Sequence, residues 1–134
     1  MTARLEYLGE RSDLAAAHKL IGNAMIIGMS ATLADVLTLA KASDVAGEDA
    51  IKTLGLLDFN TMVKVRGPNM AKGNFTATFE LTMARKDVRL MLETAGSRPL
   101  AMLPGVAARQ DQLIAAGHGA KDASVLGIDA VQAT

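Results

Sequence analysis

The chain contains no cysteine and no tryptophan, and only 3% of its 134 residues are aromatic. Without cysteine it can form neither disulfides nor thiolate metal sites, although this composition suits either redox compartment. The hydrophobic half of the sequence is instead rich in Ala, Leu, Ile and Met, which favour packed helices over sheets. The composition therefore predicts a helical protein.

Neither sign of charge is in excess. Fourteen basic residues balance fourteen acidic ones, with no block of like charge, which argues against nucleic acid or an anionic membrane as a partner. The first residues lack the apolar core and cleavage site of a secretory signal. We expect one cytoplasmic domain over residues 1–134.

Several catalytic and binding motifs are also missing. The sequence has no G-x-S-x-G nucleophile turn and no His, Asp and Glu set with metal-ligand spacing, so we expect no metal. Gly117–Asp122 begins like the G-x-G-x-x-G dinucleotide fingerprint but lacks its third glycine and a preceding strand. The sequence therefore predicts that a Rossmann nucleotide-binding domain is absent from this chain.

The longest feature is a run of strong helix formers at residues 13–42. Within it, residues 20–34 carry no charge and are bounded by Lys19 and Asp35. These fifteen residues fall short of the ~20 that a membrane span needs. We expect a helix buried in the middle of a soluble bundle rather than a membrane span.

Small side chains recur along this helix at Ala24, Gly28 and Thr32. Residues four apart lie on one face of a helix, so this row permits another helix to approach closely. Tight internal packing and a subunit interface both explain such a row, and the sequence leaves both open.

The remaining pattern is helical throughout, without the alternation of a strand. We expect an all-α fold, a bundle of helices around one long central helix at about 13–42. Asp122 is expected to cap the last helix, and Gly96 to follow the end of an earlier one. The other expected helices and turns are Glu48–Leu56, a short helix that begins near Thr61 and ends before Pro68, a turn from Pro68 to Gly73, Phe79–Ala95, Pro104–Ala116 and Ala123–Val131. In the helix Phe79–Ala95 the helical period predicts one apolar face, made of Leu81, Ala84, Val88, Met91, Leu92 and Ala95.

Two basic centres are candidates for chemistry. Lys19 and Asn23 are one helical turn apart and therefore share a face. Loss of hydration beside apolar neighbours favours a neutral lysine that can exchange protons. The second centre is Arg85-Lys86-Asp87, where Asp87 could orient a neighbour. From the residues alone, the simpler explanations are a snorkelling lysine near a helix start and a solvated charge cluster on a helix face.

Three stretches, in this order, resemble the helical C-terminal domain of the β-hydroxyacid dehydrogenases, the family of 3-hydroxyisobutyrate dehydrogenase, related to 6-phosphogluconate dehydrogenase. The first is YLGERSDLAAAHKLIGN, in which Lys19 and Asn23 form the K-x-x-x-N pattern. The second runs from Phe79 to Leu90 and includes Lys86-Asp87. The third is Gly119–Leu126, with an aspartate after a glycine-rich turn. The similarity spans almost the whole chain.

The resemblance implies a role for each matching residue. Lys19 matches the catalytic lysine that acts as general acid and base on the substrate oxygen. Asn23 matches the asparagine that holds the substrate, and Phe79 an aromatic position near the cleft. Lys86 matches a lysine that approaches the nicotinamide of NAD or NADP.

On this resemblance the chain is the substrate-side, dimerising half of an oxidoreductase that acts on a small hydroxyacid or semialdehyde. We expect a homodimer, and an isolated chain without activity because the Rossmann half would orient the cofactor. The alternative is a helical dimerisation module with no enzymatic role.

Overall fold

A computed structural model of the protein describes residues 13–132, and this part of the chain is all helical apart from its connections. The all-α prediction is therefore confirmed. One isolated antiparallel bridge joins Glu80 to Asp122. The α-helices are α1 (Leu14–Ala42), α2 (Gly47–Leu54), α3 (Phe59–Ala71), α4 (Leu81–Ala95), α5 (Leu103–Ala115) and α6 (Ile128–Val131), with a 3₁₀ helix at Ala123–Gly127 before α6.

Two apolar clusters hold the bundle together around the paired helices α4 and α5. One cluster lies at the start of α4, where Leu81 and Val125 are fully buried. The other joins Val88 of α4 to Leu103 and Ala107 of α5, and Leu39 of α1 packs against it. The buried residues of α4 are Leu81, Ala84, Val88 and Ala95, on the face that the helical period predicts.

Only the C-terminal part of α1 packs against the bundle. Its buried residues are Asp35 and Ala40, and α1 contacts α2 and α4. Residues 14–34, here called the arm, contain no buried residue and extend for about 31 Å along the helix axis. The expectation of a long helix buried at the centre of the bundle is therefore wrong. The helix is as long as predicted, but no other described element covers its first twenty-one residues.

Asp35 fastens the end of the arm to the bundle. Its carboxylate is almost fully buried and accepts the backbone N–H groups of Ala101 at 2.6 Å, and of Met102 and Leu103 at 2.9 Å each. These are the N–H groups that precede and open α5, which has no side-chain cap of its own. A carboxylate at this position satisfies donors that a helix start leaves unpaired.

The helix predicted to end before Pro68 instead continues to Ala71 as part of α3. Proline removes the one hydrogen bond that its N–H would donate to Lys64. Lys64 is exposed, so water can reach that carbonyl, and the Lys72 N–H bonds the Pro68 carbonyl at 3.1 Å. The separate turn expected from Pro68 to Gly73 is therefore wrong. Gly96, with φ of 60°, does follow α4 as predicted.

Length and apolar composition would also allow α1 to cross a membrane. A core helix of a soluble protein, or a helix covered by another chain, satisfies the same two criteria.

Candidate functional site

Lys19 and Asn23 lie on the arm, one turn apart, and both are exposed. Their apolar neighbour Leu20 is 71% exposed. Lys19 precedes Asp35, the first buried residue of α1, by sixteen positions, which is about 24 Å of helix. The first predicted pair therefore stands on a regular helix, open to whatever covers the arm.

Phe79 and Lys86 lie on the bundle itself. Phe79 is exposed and precedes α4 by two residues, and Lys86 is exposed on the second turn of α4. In the described part of the chain Lys86 has no ion pair. Its ammonium is thus available to an external group.

Asp111 of α5 orients Arg85. The sequence had suggested Asp87 for this role. The Arg85 Nε and Nη2 donate to the two Asp111 oxygens at 2.7 and 3.2 Å. The hydrogen bond from Arg85 holds the pKa of Asp111 below its usual range, and the same bond raises the pKa of Arg85. This pair ties α4 to α5 on the turn of helix that carries Lys86.

Asp122 organises the segment that leads to Phe79 and α4. Its Oδ1 accepts the backbone N–H of Thr78 at 3.1 Å and of Phe79 at 3.2 Å. Its Oδ2 accepts Nη1 of Arg66 at 2.9 Å and the N–H of Ser124, also at 2.9 Å. The last of these bonds confirms the predicted cap.

Burial by itself raises the pKa of Asp122, but the hydrogen bonds from Ser124, Thr78 and Phe79 outweigh it. They hold the pKa of this carboxyl well below its usual range. Asp122 is therefore a carboxylate at neutral pH, and its charge is balanced by the guanidinium of Arg66, which lies on α3. A group that is already fully hydrogen-bonded suits a structural role better than proton transfer.

Backbone hydrogen bonds complete this junction. The Asp122 N–H donates to the Phe75 carbonyl at 2.9 Å, and the Leu81 N–H to the Lys121 carbonyl at 2.8 Å. The Phe79 carbonyl accepts the Ala123 N–H at 2.8 Å. Phe79 is therefore fixed through both its N–H and its carbonyl.

None of the four predicted residues lines either of two surface cavities that lie in the described part of the chain. The larger, about 430 Å³, lies where α1 meets α2, beside Leu37 and Lys41. The smaller, about 110 Å³, lies over Asp122 and Arg66. The grouping of Lys19, Asn23, Phe79 and Lys86 into one site stays a prediction.

Sequence reasoning missed the roles of Asp35 and of Arg66. Asp35 was visible as the acid that ends an uncharged run, and such an isolated acid in an apolar helix is a signal for a buried cap. Arg66 carried no comparable signal, because its partner Asp122 is 56 residues away. Among the described residues, no three His, Asp or Glu side chains are grouped to hold a metal ion.

Residues 14–127 match the family model described as "NAD-binding of NADP-dependent 3-hydroxyisobutyrate dehydrogenase". The match includes Lys19, Asn23, Phe79 and Lys86, whereas the YLGERS lead-in precedes it and lies outside the described residues. No curated protein matches the chain. Because the match covers most of the sequence, the chain belongs to this family of NAD(P)-dependent oxidoreductases, the 3-hydroxyisobutyrate dehydrogenase-like proteins.

Proposed function

We propose that this domain is the C-terminal, substrate-side half of an oxidoreductase that interconverts a small β-hydroxyacid and its semialdehyde or keto form. The observation that carries the proposal is the family match over residues 14–127, together with a lysine and an asparagine one turn apart on an exposed helix.

In this proposal Lys19 is the general acid and general base. During reduction its ammonium donates a proton to the carbonyl oxygen as hydride reaches the carbonyl carbon, and the product is the alcohol. During oxidation the neutral amine accepts the hydroxyl proton. The nicotinamide, when bound, supplies or accepts the hydride.

Asn23 and Lys86 position the reactants. The Asn23 side chain offers a donor and an acceptor one turn from Lys19, which suits a hydroxyacid that must be held in one orientation. Lys86 presents an ammonium on α4, whose start is fixed by Asp122 and whose neighbour Arg85 is bonded to Asp111. An ammonium that has no ion pair within the described part of the chain suits an approach to the cofactor, and Phe79 lies two residues before the same helix.

The test joins this chain to the Rossmann half of a 3-hydroxyisobutyrate dehydrogenase and measures NADPH consumption with a panel of small semialdehydes. We expect activity in the joined protein and none in the isolated chain. Lys19→Ala should lower kcat by about 10²–10⁴-fold, the usual contribution of a general acid or base. Lys64→Ala, which removes an exposed lysine of α3, is the matched control and should leave kcat unchanged.

The exposed apolar arm favours a second candidate, a helical dimerisation module without enzymatic function. The two candidates differ in one result. If the joined protein folds and dimerises but consumes no NADPH with any substrate of the panel, the module is the better description. Turnover by the isolated chain would instead contradict the proposal that the other half orients the cofactor.

A further inference from the structure

The smaller of the two cavities, here called the polar cleft, lies between α3, the segment before α4 and the 3₁₀ helix. Its volume is about 110 Å³, the space of about three or four water molecules. None of the four residues proposed for the oxidoreductase reaction lines it. Polar side chains form most of its wall: Arg66, Asn69, Asn74, Thr76, Thr78 and Ser124, with the buried Asp122.

The Asp122 carboxylate has no free oxygen for a ligand, because donors of the protein itself surround it. Oδ1 accepts the N–H and the hydroxyl of Thr78 and the N–H of Phe79. Oδ2 accepts Nη1 of Arg66 and the N–H and the hydroxyl of Ser124. A carboxylate has about four lone-pair sites, and these six donors occupy them. A metal ion or an ammonium group therefore finds no available carboxylate in the polar cleft.

The three hydroxyl groups of the polar cleft offer lone pairs and not protons. Thr78 and Ser124 each donate their hydroxyl proton to Asp122. The Thr76 hydroxyl donates to Oδ1 of Asn74 at 2.9 Å. A hydroxyl has a single proton, so each of these oxygens can only accept a further hydrogen bond. An anion would meet these lone pairs and is therefore disfavoured as a ligand.

The N–H donors of the polar cleft come from Arg66 and two asparagines. A guanidinium has five N–H groups, and Arg66 uses one on Asp122 and one on the Thr78 hydroxyl. The Asn69 amide is exposed and forms no hydrogen bond within the described part of the chain, and Asn74 uses only its oxygen there. The positive charge of Arg66 is balanced by Asp122. The cleft thus presents free donors and free acceptors without a net charge.

We propose that the polar cleft binds a small neutral molecule with hydroxyl groups on adjacent carbons, either a free polyol or the diol of a ribose. A hydroxyl group both donates and accepts, so a diol can donate to the threonine and serine oxygens and accept from Arg66 and the asparagine amides. Three such hydroxyls take the places of about three water molecules. Val65 adds an apolar contact for the carbon chain. This site does not depend on the catalytic role proposed for Lys19.

Nuclear magnetic resonance of the isotope-labelled 134-residue chain tests the site, with glycerol as the first probe. Glycerol should shift the side-chain amides of Asn69 and Asn74 and the backbone amides of Thr76 and Ser124. The shifts should saturate with a Kd of about 1–10 mM, as expected for so small a ligand. Propanol has the same three carbons but a single hydroxyl, and it should bind at least about 10-fold more weakly because hydrogen bonds are lost.

Two variants locate the binding to the polar cleft. Asn69→Ala removes a free amide from α3, and Thr76→Val keeps the shape of the side chain but removes its hydroxyl. Each should weaken glycerol binding by about 5-fold, the effect of one hydrogen bond. Asn60→Ala on α3 and Thr53→Val on α2 are the matched controls, since both residues are exposed and lie outside the cleft; they should leave the Kd unchanged. The spectrum of each variant also reports whether it is folded.

Adenosine and D-ribose distinguish the two sources of the diol. Tighter binding of adenosine than of ribose would assign the site to a nucleoside, and tighter binding of ribose or glycerol would assign it to a free polyol; both results support a diol site. Shifts that do not saturate by about 100 mM glycerol, or that spread evenly over the surface, would overturn the proposal. Tighter binding of acetate or sulfate than of glycerol would overturn it too, because these anions have no proton to donate to the hydroxyl oxygens.

Discussion

The Asp35 carboxylate of α1 caps the start of α5 by accepting the backbone N–H of Leu103 at 2.9 Å, although the two residues are 68 positions apart. Helices are usually capped by a residue next to them in sequence. Here the cap comes from another helix, so the same carboxylate satisfies α5 and fixes the direction in which the arm leaves the bundle.

Asp35→Ala should destabilise the fold by about 2–4 kcal/mol, because it leaves the buried N–H of Leu103 and the part-buried N–H groups of Ala101 and Met102 without an acceptor. Urea unfolding at neutral pH measures this loss. Asp49→Ala on the exposed side of α2 is the control and should change the free energy of unfolding little. Equal effects of the two substitutions would contradict the capping role.

Asp122 should make the fold sensitive to acid. Its pKa is lowered in the folded protein, so its stabilising contribution is fully present above the unfolded value of about 3.9 and is lost as pH falls below it. Asp122→Asn should therefore lower stability at pH 7 and flatten the loss of stability between about pH 4 and 2. Urea midpoints across this range measure both effects. Asp35 has a lowered pKa for a similar reason, so part of the acid sensitivity should survive in the variant.

Asp122→Ala should loosen the segment before α4. The Phe79 N–H bonds the Asp122 carboxylate, so its hydrogen exchange should accelerate in Asp122→Ala by more than that of amides in the middle of α5. An equal increase in the hydrogen-exchange rates of both regions would indicate global destabilisation, and the Asp122 carboxylate would then not stabilise the Phe79 backbone locally.

Gly119 should resist substitution because of its close approach to α4. A methyl group at this position would lie 2.9 Å from Cγ2 of Thr82, and such overpacking costs about 1–3 kcal/mol. Gly105→Ala is the matched control: a methyl group there meets nothing within 4 Å, and alanine in a helix is favoured over glycine by up to about 1 kcal/mol. The two substitutions should shift the thermal midpoint in opposite directions.

In the joined oxidoreductase, Asn23→Ala and Lys86→Ala should affect different reactants. Asn23→Ala should raise KM for the hydroxyacid, and Lys86→Ala should raise KM for NADPH, each by about 10-fold, the loss of one hydrogen bond to a charged group. Steady-state kinetics with each reactant varied in turn measure both. If both variants raised the same KM, the separate roles of Asn23 and Lys86 would be wrong.

The helical class, the extent of α1 and the buried face of α4 follow from the sequence, because the hydrophobic period and the capping residues are local signals. The family was recognisable from Lys19-x-x-x-Asn23 and Lys86-Asp87, since their order along the chain does not depend on how the helices pack. Continuation of α3 through Pro68 was not predicted, because proline inside a helix usually kinks or ends it. Here proline removes one hydrogen bond, and the carbonyl that loses its partner can reach water.

The sequence alone determined that α1 is long and that it contains an uncharged run bounded by Lys19 and Asp35, since helix propensity and hydropathy belong to the residues themselves. Only the tertiary structure decided where that helix lies. An apolar run requires burial but does not specify its neighbour, and the buried carboxylate of Asp35, bonded to residues 101–103, places the contact at one end of α1 and leaves the arm open.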